Sequence, residues 1–126
     1  MAGLSKKFVT ECKKQLLVLK AESLNRVSNA KTQLGYADAR GGDIADQTVK
    51  VLAEEEFLRM STRLRLRLQE IEYALARIES GIYGLCEETE ETIEQERLLA
   101  IPWARLSLEG AELRESVNRQ RAAVGN

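Results

Sequence analysis

The chain has 126 residues, enough for one compact domain or for a small domain carrying an elongated appendage. Aromatic residues make up only 5% and charged residues 31%, which argues against a ring-lined ligand pocket or a deep apolar core and favours long solvated helices. A formal net charge of −1 without a single histidine removes the commonest general base and metal ligand and gives no overall attraction to phosphate backbones, so direct DNA binding is not expected. Cys12 and Cys86 are too few for a secreted disulfide framework. No apolar run approaches the roughly 18 residues of a membrane span, and the first residues lack the apolar core of a signal peptide. The expected setting is the reducing cytoplasm, away from membranes.

From about Leu4 to Tyr36, Phe8, Cys12, Leu16, Leu19, Ser23, Val27, Ala30 and Leu34 recur at steps of three and four, which predicts one face of a single long helix. Lys6, Lys7, Lys13, Lys14, Lys20, Arg26 and Lys31 lie off that stripe and read as a solvated face. Cys12 falls within it and reads as a small buried hydrophobe. Gly41-Gly42 then breaks the pattern. Val49, Ala53, Phe57, Met60, Leu64, Leu68, Ile71, Leu75 and Ile78 resume it until Ser80-Gly81. Two such stripes joined by a short glycine turn predict an antiparallel coiled-coil hairpin over residues 1–80, with its tip at about 38–48. At about 1.5 Å per residue, the tip of such a hairpin stands about 50 Å from the helix bases.

Asp43 and Asp46 sit where the second helix begins. Their simplest role is local: Asp43 as the cap of that helix, with a value of about 1 kcal/mol, and Asp46 beside the positive end of the helix dipole. Glu54, Glu55 and Glu56 form an acidic band, after which Arg59, Arg63, Arg65 and Arg67 reverse the sign. Arg59 and Arg63 share one face, a ridge suited to an acidic partner.

Beyond Gly81 lies the second predicted unit, residues 81–126, a small globule. Gly81 to Cys86 reads as a small turn or hairpin, Glu87 to Glu91 as an acidic loop and Ile93 to Ala100 as a short helix. Pro102 is expected to open a last helix that runs to about Arg121 with Trp103, Leu106, Leu113 and Val117 on its inner stripe. The tail from Ala122 is expected to fray.

Four features together resemble the DksA/TraR family of bacterial transcription factors: the run Glu54-Glu55-Glu56-Phe57, the pair Tyr83-Gly84 before Cys86, the break Ala100-Ile101-Pro102, and Glu112-Leu113-Arg114-Glu115. Counted from Cys86, the match needs no gap across residues 43–115. The resemblance implies a mostly α fold, with a long antiparallel coiled-coil hairpin on a small zinc-finger-like globule that ends in a helix. It also implies a non-enzymatic regulator that binds RNA polymerase, inserts the hairpin through the secondary channel and alters transcription initiation, often with the alarmone ppGpp. The family tip motif D-x-x-D-x-A falls on Asp43, Asp46 and Thr48. The aspartates are thereby implied to act near the polymerase catalytic centre, with Thr48 adding a hydroxyl and a β-branch where the family has alanine. Arg59 and Arg63 match two basic positions that grip the polymerase.

Two parts of the family pattern are not met. The family finger, C-x2-C-x17-C-x2-C, falls on Cys86, Thr89, Ser107 and Gly110, and one thiol without histidine is no structural zinc site, so no bound zinc is expected. Structural zinc contributes about 10 to 16 kcal/mol in small peptides. The globule must therefore be held by Ile82, Tyr83, Leu85, Ile93, Leu98, Leu99, Ile101, Trp103, Leu106, Leu108 and Leu113. Cys86 then reads as a relic or a core residue rather than a redox sensor. The family's basic ppGpp contacts fall on Glu70, Ile101 and Ala111, so synergy with ppGpp is expected to be weak or absent. The alternatives are a coiled-coil scaffold without a polymerase partner, whose stripes pair between chains, and a cleavage factor that holds metal on the tip carboxylates. The hairpin reading expects a monomer.

Overall fold

The computed structural model describes the backbone of residues 3–39 and 44–124 and the side chains of 3–35 and 47–124. Asp43 and the side chain of Asp46 lie outside the described residues. The elements are α1 (Lys6–Ala39), α2 (Ile44–Ser80), α3 (Gln95–Ala100) and α4 (Leu108–Val124). The chain is thus mostly helical, a helical hairpin followed by a small domain. Packing divides it into two units, one of Met1–Leu17 with Ile71–Asn126 and one of Val18–Glu70.

In the unit 18–70, α1 turns Ser23 fully inward and leaves Leu19, Val27, Ala30 and Leu34 half-buried, as their spacing predicts. Ala30, Gln33 and Leu34 line a groove with Ala53, Glu56, Phe57 and Met60 of α2. On α2 the expected stripe holds at Phe57, Met60, Leu64 and Leu68 but fails nearer the turn. Val49 is 65% exposed and Ala53 is exposed, whereas Lys50 and Glu54 are half-buried. The half-buried positions 50, 54, 57, 61, 64 and 68 advance by alternating steps of four and three, a seven-residue repeat that places residues 49 and 53 off the seam. Long charged side chains such as Lys50 and Glu54 can occupy seam positions because their aliphatic stems supply apolar surface.

In the unit 1–17 with 71–126, the core is Leu4, Val9, Cys12, Leu16, Ile71, Ala74, Tyr83, Cys86, Ile93, Leu98 and Ala104. Ser5 starts α1 by accepting the Phe8 N–H on its hydroxyl at 3.1 Å. The end of α2 closes with two reversed bonds, Ile82 N–H to the Arg77 carbonyl at 3.0 Å and Gly81 N–H to the Ile78 carbonyl at 3.2 Å. This double closure is the usual way a helix stops at a glycine. Lys13 of α1 and Glu79 of α2 pair at 3.5 Å across the same unit.

The segment 81–86 takes the turn of the expected turn or hairpin, with turns at 81 and 83–84, and among the described residues the only β contact is an isolated antiparallel bridge between Leu85 and Thr92. The globule departs from expectation in two other places. α3 begins at Gln95, after Glu94, rather than at Ile93, which is buried in the core. The last helix begins at Leu108 and not at Pro102. Pro102 is buried in an irregular segment instead, where its carbonyl accepts the Tyr83 hydroxyl at 2.8 Å. Two acceptors fix the true start. Ser107 Oγ takes the Gly110 N–H at 3.0 Å, and the Glu94 carboxylate takes the Leu108 N–H at 3.1 Å.

That shift rotates α4. Leu113 and Val117, expected inside, are 47% and 43% exposed, while Gly110 is buried and Arg114 half-buried. Ile82, Leu99 and Leu108 are likewise exposed, and Leu85, Ile101, Trp103 and Leu106 only half-buried. Tyr83, Ile93 and Leu98 are left as the fully buried members of the expected set.

Candidate functional site

Two groups of residues were singled out by sequence: the basic ridge with the acidic turn on the hairpin, and the four finger positions. On the ridge, Thr48, Arg59 and Arg63 are all exposed on α2. Arg59 and Arg63 are four residues apart and therefore about 40° apart around the helix. Glu56, Leu58, Arg59, Thr62 and Arg63 together line a shallow surface pocket. The Arg59 guanidinium pairs with Glu56 of the preceding turn at 3.0 Å, a contact with both side chains more than 60% exposed, at 63% and 64%. Such a pair adds little to stability and is readily exchanged for a partner's carboxylate. Asp43 and the Asp46 side chain lie outside the described residues, so the acidic half of this site is given by sequence alone.

The finger positions are brought together. Ser107 donates its hydroxyl to Cys86 Sγ at 3.4 Å while accepting from Gly110 N–H, so one side chain both caps α4 and holds the sulfur. Gly110 is pressed against the same sulfur: a Cβ there would come within 2.3 Å of Cys86 Sγ. Thr89 completes the group and accepts the Glu91 N–H at 3.3 Å. Burial pushes the Cys86 thiol up, but hydrogen bonds from Ser107 and Thr89 outweigh it and bring the thiol down from its ordinary 9.0 to about 6. Gly84 has a similar packing role, since it takes φ +87° and a Cβ on it would meet Leu4 Cδ1 at 2.2 Å.

Residues that the sequence reading passed over do much of the holding. Arg77, only 5% exposed, donates through Nη2 to the carbonyls of Ile82, at 3.2 Å, and Leu85. Arg97 Nε donates to the Leu106 carbonyl at 2.8 Å and so ties the irregular segment to α3. An arginine in the last turn of a helix reads as a dipole partner, and only the fold reveals that Arg77 points inward. The second cysteine, Cys12, is fully buried, and burial raises its thiol above the ordinary value. Tyr83, hydrogen-bonded in the same core, is raised too, first by burial and then by its contact with Cys12.

The family model of the prokaryotic dksA/traR C4-type zinc finger matches residues 81–115. The chain is similar to an uncharacterized protein of Aquifex aeolicus, 38% identical over 112 residues, covering 86% of this chain and 77% of that protein. It is also similar to the RNA polymerase-binding transcription factor DksA of Caulobacter vibrioides, 36% identical over 107 residues, covering 85% of this chain and 75% of the relative. Among solved structures, transcription factor DksA2 from Pseudomonas aeruginosa superposes with a TM-score of 0.82 at 30% identity, over 91% of this chain and 88% of that one. The donor set does not fit the zinc that the finger's description implies. Of the four ligand positions only Cys86 carries a thiolate donor; Ser107 and Thr89 are spent on local hydrogen bonds, and Gly110 has no side chain at all. No group of three or more histidine, cysteine, aspartate or glutamate side chains suited to a metal occurs among the described residues. With its finger altered but its fold and most of its length matched, the chain belongs to the DksA/TraR family.

Proposed function

We propose that this protein is a non-enzymatic regulator of transcription that binds RNA polymerase with its helical hairpin. The observation that carries the reading is the 36% identity with the Caulobacter RNA polymerase-binding transcription factor over 75% of that relative's length. The hairpin enters the secondary channel turn first, and Asp43 and Asp46 act near the catalytic magnesium and the mobile elements around it. Thr48 modulates that contact. Arg59 and Arg63 anchor the hairpin to acidic groups on the channel rim, a role that suits their exposure and shared face. The globule works without zinc, and ppGpp adds little, because Glu70, Ile101 and Ala111 offer no cation to its phosphates.

The test is transcription in vitro from a sensitive promoter. Asp46→Asn keeps much of the local geometry and removes the charge, so it is expected to leave the fold intact and abolish the effect on initiation. Full activity in that variant would remove the tip from the mechanism.

A further inference from the structure

Glu87, the residue after Cys86, is approached by guanidinium groups from three separate segments. Arg77 of α2 lies 4.0 Å and Arg105 of the irregular segment 3.8 Å from its Oε1, and Arg114 of α4 lies 3.5 Å from its Oε2. The Tyr73 hydroxyl donates to Oε1 at 3.1 Å, and the guanidinium carbons of Arg105 and Arg77 lie 4.9 and 5.9 Å from the centre of the Tyr73 ring. Arg114 pairs as well with Glu88 at 2.7 Å, and the Glu87 N–H donates to the Arg105 carbonyl at 2.9 Å.

These contacts join the segments that a tetrathiolate metal would join, the turn at 86–89 and the start of α4 at 107–110, and they add α2 through Arg77. We propose that the Glu87 network is an ionic cross-link that takes the place of a metal in holding the globule's first turn. The Glu87 carboxylate stands among cations from three elements and draws them together, sharing Arg114 with Glu88. Arg77 has a side chain only 6% exposed and needs that balance most, while Arg105 and Arg114, at 35% and 37%, remain within reach of salt. A metal cross-link resists salt and yields to chelators. An ionic one does the reverse.

The inference rests on the zinc-free reading, and one experiment separates the two. Hydrogen exchange is measured on the full chain at the amides of Cys86 and Ile93, which bond to the carbonyls of Glu91 and Gly84 at 2.8 and 2.7 Å. Raising sodium chloride from about 0.1 to about 1 M shortens the Debye length from about 10 to about 3 Å and is expected to reduce protection at both amides at least threefold or so. Glu87→Gln keeps the side chain's shape and removes its charge; it is expected to reduce protection roughly tenfold in low salt, equivalent to about 1.4 kcal/mol, and to lose most of the salt response. A strong chelator is expected to change nothing in either protein. Loss of protection with chelator alone would overturn the zinc-free reading. Protection unaffected by salt in the wild-type chain, or a salt response undiminished in Glu87→Gln, would overturn the network even with zinc absent. Should Glu87→Gln fail to fold, the wild-type salt response decides.

Discussion

Gly110 offers the sharpest test of how the altered finger is packed. In an ordinary helix position, Gly→Ala gains about 1 kcal/mol from helix propensity. At residue 110 the new Cβ would stand 2.3 Å from Cys86 Sγ, more than 1 Å inside normal contact, and 3.3 Å from Ser107 Oγ. The sulfur has little freedom to retreat, being 2% exposed and held by the Ser107 hydroxyl at 3.4 Å. Overpacking of this kind costs about 1 to 3 kcal/mol, so once the helical advantage of about 1 kcal/mol is subtracted Gly110→Ala is expected to destabilise the chain by up to about 2 kcal/mol. Urea denaturation followed by circular dichroism measures this, and a double-mutant cycle with Cys86→Ala isolates the cause. Removing the sulfur makes room for the methyl group, so the two changes together are expected to be less destabilising than their sum by at least about 1 kcal/mol. Stabilisation by Gly110→Ala in the presence of Cys86, or strict additivity in the cycle, would refute the close packing of α4 on the thiol.

The Cys86 thiol is lowered from 9.0 to about 6, so the folded state binds its proton less tightly than the unfolded chain does. The resulting stabilisation is complete above about pH 9, declines as pH falls and is gone below about pH 6, with a ceiling of about 4 kcal/mol. Denaturation midpoints measured between those limits should rise with pH, and Cys86→Ala should flatten the rise. Arg77→Met leaves the carbonyls of Ile82 and Leu85 without their side-chain donor and is expected to cost about 2 to 4 kcal/mol in the same denaturation assay. Reversing the charges of Arg59 and Arg63 to glutamate should change stability by no more than about 0.5 kcal/mol, since both are exposed, yet weaken polymerase binding at least about tenfold. Light scattering should find a monomer; an obligate oligomer would favour the scaffold alternative.

The hairpin was legible because α1 keeps its buried positions three and four apart over its whole described length, and Phe57 to Ile78 do the same on α2. Val49 and Ala53 break the apolar stripe because the seven-residue register near the turn runs through Lys50 and Glu54 instead. Pro102 misled for a related reason. Proline suits the first turn of a helix, but the free backbone donors at the head of α4 found acceptors only at Ser107 and Glu94. That choice buried Gly110, left Arg114 half-buried and turned Leu113 and Val117 outward. The four finger positions found by counting lie together in the fold, whereas the contacts made around them were not visible in the sequence. Ser107 and Gly110 look like simple losses of ligand until the sulfur is seen resting against both. Arg77, Arg105 and Arg114 are spread over 38 residues of sequence, and no local pattern announces that they converge on Glu87.

Binding to purified core RNA polymerase tests the central claim most directly. The account predicts that the chain co-elutes with core enzyme on gel filtration, is displaced by another protein that enters the secondary channel, and loses binding when Arg59 and Arg63 are both reversed in charge. Absence of any complex, or a complex indifferent both to channel competitors and to the loss of those arginines, would contradict it.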